Sequence, residues 1–434
     1  MRVKRTRLSE GSAVPARGSG SRRRAVKRAK RPREAREQGS RALEGMVVLD
    51  ATQIMAGPFC TLLLADMGAD VIKVERPDGG DDTRRMGPPF IAGESAAFLA
   101  MNRNKRSLAL NLKTEEGKDL FRRLAGRADV LVENFRPGTM ERLGLGYETL
   151  RGVNPGMIYC SISGFGQTGP YRLRGGFDLV AQGMSGLISC TGHPGGPATK
   201  VGVPISDLNA GVYAAYGILS AYIHRLKTGR GQLIDTSLFE GAIAYTFWES
   251  AIFFATGKVP EPMGSAHRLN APYQVFRTKD SSLSVGAATQ GTWELLCQAI
   301  GRPDLVADPR FRDNAARIER YQELAAILEN VFQQDTTASW LTKLERAGVP
   351  AGPIYNLAQV YEDPHVRARD MVVELEHPVA GRVRNIGIPV KLSDTPGRIA
   401  RPAPTLGQHT DEILNWLGLE KATIKRLRES GIVA

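Results

Sequence analysis

A doubly wound α/β fold is the architecture this sequence predicts, and three observations predict it. Short apolar strands alternate with helical segments from Leu43 onward. The first strand, helix and strand fit in under 30 residues, Val47 to Glu75. Two strands joined so tightly through a helix must pair in parallel. The alternation then continues for another hundred residues, which makes a layered sheet with helices on its faces.

Each element has its own justification. Val47–Asp50 is a short apolar strand, and Gly57-Pro58 opens an apolar helix through about Met67, ended by Gly68. Val71–Glu75 and Ser107–Leu112 read as strands. Thr114 caps the next helix, with Glu115 and Glu116 in its first turn, where the helix dipole favours negative charge. Asp129–Glu133 is a strand, Pro137 occupies the first position of a short helix, and Met157–Ser163 is a buried strand. Asp207 precedes a Gly/Ala-rich apolar helix that runs to about Lys227 and is ended by Gly229 and Gly231. Gln232–Ser237 is a strand, and an aromatic helix covers Leu238–Thr256. Around 257–270 the pattern turns loop-like and marks a boundary. Beyond it lie a hairpin (Tyr273–Thr278 and Leu283–Ala288 across Lys279-Asp280) and helices near Thr292–Ile300, Ala315–Gln333 and Thr337–Ala347. Strands near Val349–Ile354 and Val372–His377 follow. Two C-terminal helices, Asp411–Trp416 and Lys421–Ser430, are expected to return to the first sheet.

Composition narrows the function classes. A chain of 434 residues with 42% hydrophobic and 24% charged residues is a folded protein, neither collagen-like nor a coiled coil. Its net charge of +13 is local: residues 1–44 hold 15 of the 58 Lys and Arg against four Glu, and the rest is nearly neutral. Residues 1–42 form a basic tail too poor in apolar side chains to fold, so it is expected to be disordered. It reads as an inert extension, a nucleic-acid arm or a transit peptide, and no aromatic residue is interleaved to stack on bases. Four scattered cysteines point to a reducing compartment, and neither Cys nor His has metal-ligand spacing, so no metal is expected. The expected location is cytoplasmic, or mitochondrial if the tail is a transit peptide. No apolar run is long enough to cross a membrane.

Single motifs exclude more than they identify. Gly164-Phe-Gly166-Gln-Thr-Gly169 spells a dinucleotide fingerprint, but Pro170 follows at once and no helix begins there. No phosphate-cradling G-x-x-x-x-G-K and no G-x-S-x-G elbow occurs. Asp207 has two readings, a helix N-cap or a carboxylate nucleophile at a loop–helix junction. Arg76, Arg84, Arg142 and Arg174 sit on loops of the α/β region, singly ordinary surface charges but together able to grip a phosphorylated ligand.

Several ordered stretches together resemble the class III CoA-transferase family. They are VVLDATQIMAGPFCTLLLADMGADVIKVERPDGGDDTR (47–84), NRNKRSLALNLKTEEG (102–117), DVLVENFRPGTMERLGLGYETL (129–150), SISGFGQTGPY (161–171), GGFDLVAQGMSGL (175–187), PISDLNAGVYAAYGILSAY (204–222) and KTGRGQLIDTSLFE (227–240). The resemblance implies a large Rossmann-like domain built from both chain ends, a smaller α+β central domain, and an interlocked homodimer. It divides the chain into the 1–42 tail, a first part of the large domain at 43–256, the small domain at 257–360, and the return at 361–434. It implies that Asp207 is the nucleophile and that CoA, held as substrate, meets Ile54, Met55, Ala56, Arg76, Leu110 to Lys113, Asn134, Phe135, Arg142 and Arg174. The partners it implies are an acyl-CoA and small carboxylic acids, exchanged through an aspartyl anhydride and an aspartyl-CoA thioester. The AHRLNAPYQVF stretch is similar to relatives acting on succinyl- and glutaryl-type acids, which would set His267 or Arg268 against a distal carboxylate. Met86 and the GSAHRLNAP loop depart from formyl-CoA transferases and argue against formate and oxalate. Two rivals stand beside this reading: a 2-methylacyl-CoA racemase on the same fold, and a nucleic-acid-binding protein using the tail. Racemisation needs two acid/base groups, and where racemases carry a histidine this chain has Phe177.

Overall fold

The computed structural model describes residues 41–434. The expected disorder and competing roles of the tail concern residues outside the described ones, apart from Arg41 and Ala42. Six strands form one parallel sheet: β1 (Val47–Ala51), β2 (Asp70–Glu75), β3 (Arg106–Ala109), β4 (Val130–Glu133), β5 (Ile158–Ser163) and β6 (Leu233–Ser237). Their spatial order is β3-β2-β1-β4-β5-β6, every neighbouring pair parallel. The order reverses at β1/β4, and at such a switch point the loops leaving the carboxyl ends of the strands diverge and open a crevice.

Alternation along each strand feeds two cores. Leu49, Ile72, Val74, Leu108 and Leu131 face one side, and Val48, Val71, Val130, Val132, Ile158 and Cys160 face the other. The second face is covered by α1 (Ala56–Asp66) and a 24-residue helix, Ile205–Thr228, called αL here for its length. The first face is covered partly by the helix Glu115–Ala125 and partly by the C-terminal helices Thr410–Trp416 and Lys421–Glu429. The chain end therefore does return to the first sheet. Phe121 and Ile413 are wholly buried there, so truncating such an aromatic to alanine costs about 3–5 kcal/mol.

Four expected elements differ in detail. Asp207 does not precede αL but is its third residue; Pro204 holds the cap position and no side chain caps it. The short helix after β4 starts at Thr139 behind Gly138 at φ +82°, with Pro137 outside it. The aromatic helix is two helices, Leu238–Ala244 and Phe247–Thr256, separated at Thr246, whose hydroxyl donates to the Ile243 carbonyl and meets Ser250. The helix expected over 315–333 breaks at Arg320 into Asn314–Glu319 and Tyr321–Phe332.

A third core lies between residues 276 and 349, where Phe276, Trp293, Phe332 and Trp340 pack together. It is roofed by an antiparallel sheet of Tyr273–Arg277, Ser282–Gly286 and Ala351–Pro353. A separate hairpin, Val372–His377 with Gly381–Ile386, seats Val383 against Phe98 and Leu99. Large apolar side chains remain outside all these cores. The helix Phe247–Thr256 buries none of its residues, and Phe254 is 81% exposed.

Candidate active site

The crevice predicted by the strand order is present. A cavity of about 280 Å³ lies over the carboxyl ends of β1, β2, β3 and β4. Val74, Leu110, Leu112, Phe135 and Leu143 make its apolar wall, while Arg76 and Lys113 supply positive charge. A more polar recess of about 570 Å³ shares Arg76, Asn111 and Lys113 and adds Arg85. An apolar wall beside a basic recess suits a purine-type ring with attached phosphates, because arginine offers phosphate a planar bidentate fork. Arg76 and Arg85 both pair with Asp82, which orients them in the free protein.

The floor of this crevice is the turn from Thr52 to Met55, and it is held from several sides. The Ile54 N–H donates to Asp81 Oδ1 at 3.0 Å and the Thr52 carbonyl accepts from Lys73 Nζ at 3.0 Å. Asn134 accepts from the Gln53 N–H at 2.9 Å and donates to the Gln53 carbonyl at 2.8 Å. Ile54 itself stands at φ +69°, a left-handed conformation that costs a β-branched residue about 1–3 kcal/mol. Beneath the turn, Asp50, Lys73 and Lys105 are fully buried charges. Lys73 pairs with Asp81 at 2.8 Å and Lys105 with Asp50 at 3.0 Å. Burial opposes the charge of Asp50, but Lys105 and Lys73 outweigh it and draw its carboxyl down to about 2. Burial lowers Lys105 to about 8. For Lys73, burial is overcome by Asp50, Asp81 and Glu75, which hold its ammonium above the usual value.

Asp207 is reached through αL. One turn further along the same face, Gly211 sits so close to α1 that a Cβ there would lie 2.7 Å from the Ala56 carbonyl oxygen. Asp207 thus stands beside the start of α1, at the sheet end where the crevice opens. Its carboxylate is half-buried and receives no hydrogen bond among the described residues. Burial, followed by the charge of Asp178, pushes its carboxyl up to about 7. Asp178 is itself fixed, accepting from the Ser206 N–H at 2.8 Å and from Gln182 at 2.7 Å. A carboxylate deprived of solvent and donors keeps its lone pairs available, which is the state a carboxylate nucleophile needs.

The sequence-predicted residues fall into three groups. Arg76, Leu110, Lys113 and Phe135 line the crevice, with exposed Ile54 and the start of α1 at Met55 and Ala56 beside it. Asn134 is close by, yet its amide is spent on the Gln53 backbone. Arg142 instead lines a neighbouring cavity of about 390 Å³ with Glu133, Glu141, Tyr159 and Arg172, and Arg174 is exposed with its guanidinium 3.9 Å from the Tyr171 ring centroid. His267 and Arg268 share a fourth cavity, of about 250 Å³, with Cys190, Trp248 and Glu249, and neither Asp207 nor the crevice residues line it. Arg268 faces Glu249 at 3.5 Å, and His267 Nδ1 accepts from the Leu269 N–H.

Sequence reasoning missed Asp50, Lys73, Asp81, Asp178 and Glu133. A signal existed for the first two: Asp50 is the lone charge of the apolar strand VVLDA, and Lys73 interrupts the apolar run inside DVIKVE, in a sheet buried on both faces. Burial pushes the Glu133 carboxyl up to about 7, against hydrogen bonds from Ser161 and the Phe135 N–H. Among the described residues no cluster of His, Cys, Asp or Glu could hold a metal ion, and no helix is long and apolar enough to cross a membrane.

A basic crevice at the switch point of a doubly wound sheet, with an unpaired carboxylate on the helix beside α1, defines the class: an α/β group-transfer enzyme. The CoA-transferase family III model matches residues 43–410. The chain is 41% identical over 392 residues to the succinyl-CoA:glutarate CoA-transferase of Homo sapiens, covering 90% of each chain. It is 42% identical over 392 residues to the succinyl-CoA:mesaconate CoA-transferase of Haloarcula marismortui, covering 88% of this chain and 98% of that one. A crystal structure of a CAIB/BAIF family protein from Brucella suis superposes with a TM-score of 0.78 at 40% identity, over 87% of this chain and 100% of that chain. This chain belongs to CoA-transferase family III and is an enzyme of that family.

Proposed function

We propose that the enzyme moves CoA from succinyl-CoA, or a similar dicarboxylyl-CoA, to a second free dicarboxylic acid, with Asp207 as nucleophile. The observation carrying this reading is the Asp207 carboxylate itself, half-buried, without a hydrogen-bond donor among the described residues, one turn from the Gly211 contact with the start of α1. It attacks the thioester carbonyl, forming an aspartyl–acyl anhydride and releasing CoA as thiolate. The thiolate attacks the aspartyl carbonyl, the donor acid leaves as carboxylate, and an aspartyl-CoA thioester remains. The acceptor carboxylate attacks this thioester, giving a second anhydride, and the returning thiolate takes the acceptor acyl group and frees Asp207. One thioester replaces another, so the bond energy is conserved and no ATP is consumed. Holding the nucleotide end of CoA in the basic recess keeps the thiolate near the anhydride and lets it outcompete water.

The relatives named above act on succinyl-CoA with glutarate or mesaconate, which supports a dicarboxylate acceptor. Arg268 is the cation we assign to its distal carboxylate, after exchange of its Glu249 partner. Because Arg268 and Asp207 do not line one cavity, we further propose a homodimer whose second subunit completes the site. The unburied apolar helix Phe247–Thr256 and exposed Phe247, Leu226 and Phe177 support it, since a lone chain exposing such a surface would associate. Phe177 also disfavours racemisation, as phenylalanine moves no proton.

The test crosses succinyl-CoA with succinate, glutarate, mesaconate, malonate and acetate and identifies products by mass spectrometry. Dicarboxylyl-CoA products with glutarate or mesaconate are expected. Transfer only to acetate, or solvent deuterium entering the α-carbon of 2-methylacyl-CoA without transfer, overturns the reading.

A further inference from the structure

We infer that Lys73, Asp81 and Asn134 are positioning residues that hold the Thr52–Ile54 turn in its strained conformation and thereby set the distance between bound acyl-CoA and Asp207. The inference rests on the proposed CoA crevice and on Asp207 as nucleophile.

The geometry is unusually complete for a loop. Three strands contribute side chains whose polar atoms are used on one another or on this turn. Lys73, on β2, spends its ammonium on the Thr52 carbonyl and on Asp81. Asp81, in the loop after β2, uses Oδ1 on the Ile54 and Thr83 N–H groups and Oδ2 on Lys73. Asn134, just after β4, spends both ends of its amide on Gln53. From β1 below, Asp50 accepts from the Thr52 N–H at 3.0 Å. A turn this heavily restrained is needed because Ile54 at φ +69° would relax to an extended conformation if released.

Position gives that restraint its consequence. Thr52 and Gln53 form part of the crevice wall with Arg76, Leu110 and Lys113. Three residues after Gln53, Ala56 begins α1, and its carbonyl is the surface against which αL packs at Gly211, one turn below Asp207. The turn is therefore a covalent link of a few residues between the wall that would hold CoA and the helix contact that locates the nucleophile. If it shifts, substrate and carboxylate move relative to each other, although neither loses a contact of its own. The charges of Lys73 and Asp81 are wholly enclosed, and among the described residues Asn134 makes no side-chain hydrogen bond except to Gln53. Their role in catalysis thus runs through the turn.

The test compares the full-length enzyme with Asn134→Ala and Asn134→Asp, using succinyl-CoA and glutarate. Measured are kcat, KM for each substrate, Tm, and the fraction of sites that form the Asp207 adduct, read by mass spectrometry. Asn134→Ala should raise KM for succinyl-CoA and lower kcat, together roughly 10–100-fold in kcat/KM, the scale on which an ångström of misplacement acts. KM for glutarate should stay within about twofold. Asn134→Asp keeps the acceptor for the Gln53 N–H and is isosteric, so it should fold and fall between wild type and Asn134→Ala. A fall in Tm or in the active fraction, with both constants per active site unchanged, overturns the inference and leaves only a structural role. Wild-type kinetics in Asn134→Ala overturn it as well, while leaving the proposed function intact. Should the wild-type enzyme itself bind no succinyl-CoA, the functional reading fails and takes this inference with it.

Discussion

Asp207→Asn probes the nucleophile and the energetic cost of presenting it with a single change. The carboxyl stands at about 7 in the folded enzyme against 3.8 for an ordinary aspartate, first because of burial and then because of Asp178. Below pH 3.8 it is neutral in both folded and unfolded chains and carries no penalty. Between the two values the unfolded chain has released the proton while the fold retains it, so stability falls by about 1.4 kcal/mol per pH unit. Above pH 7 the penalty is complete, with an upper limit of about 4 kcal/mol that solvent at the half-buried carboxylate reduces. Asparagine has nearly the same shape and never ionises. The variant is therefore more stable than wild type at pH 8, and at pH 5 by about a third of that margin, since only about one of roughly three pH units has been traversed. For a chain of this length about 1 kcal/mol moves Tm by roughly 1–2 °C, so a rise of about 2–6 °C at pH 8 is expected. Turnover should fall by about 10⁴ or more, as when other covalent nucleophiles are removed. Calorimetric melting at both pH values and chromatographic product assay measure the two effects. Retained turnover refutes the nucleophile; a Tm gain that is absent, or equal at the two pH values, refutes the electrostatic argument.

Four further outcomes follow from particular contacts. Asp50→Asn leaves Lys105 buried without its counter-charge and should cost about 3–5 kcal/mol in urea unfolding. Because the Asp50 carboxyl lies near 2 in the fold, below its unfolded value of 3.8, its contribution is present above pH 3.8 and is lost as pH falls toward 2, so the variant should also show a flatter acid-unfolding profile. Gly211→Ala drives a methyl to 2.7 Å from the Ala56 oxygen and should cost about 1–3 kcal/mol, with kcat falling as αL shifts. Phe254→Glu, on the unburied helix, should convert a dimer to monomer in sedimentation equilibrium, whereas an unchanged mass refutes that surface as an interface. Arg268→Ala should raise KM for the acceptor acid about tenfold with KM for succinyl-CoA unaltered; the reverse pattern would place Arg268 on CoA.

Most of the sheet was legible because a parallel sheet buried on both faces writes itself as repeated apolar strands with helices between them. The C-terminal return was legible for the same reason: Ile413, Leu414, Ile424 and Leu427 needed a core, and the first sheet had an open face. Helix ends were less legible. Asp207 looked like a cap because capping and nucleophilic aspartates share one position class, and sequence does not show whether an amide will meet the carboxylate. Asn134 was assigned by resemblance to ligand contact; that its amide also closes on Gln53, a residue 81 positions away, was not legible. Arg76, Arg84, Arg142 and Arg174 were grouped by charge, and the fold distributes them: Arg76 lines the crevice, Arg84 pairs with Glu75, Arg142 lines a neighbouring cavity and Arg174 lies over Tyr171.

These cases share one physical cause. A residue type announces which interactions a side chain is capable of, and function depends on which of them the fold has already used. Lys73 and Asp81 are chemically fit to bind substrate, but each is enclosed and committed to the other and to the Thr52–Ile54 turn. Asp207 is an ordinary carboxylate by sequence, and what sets it apart is the lack of a hydrogen-bond donor to it among the described residues and the elevation of its carboxyl to about 7. The stability that the buried pairs supply and the stability that Asp207 forfeits are thus opposite outcomes of burial: satisfied charge fixes the turn, while Asp207 is left with a charge no neighbour offsets.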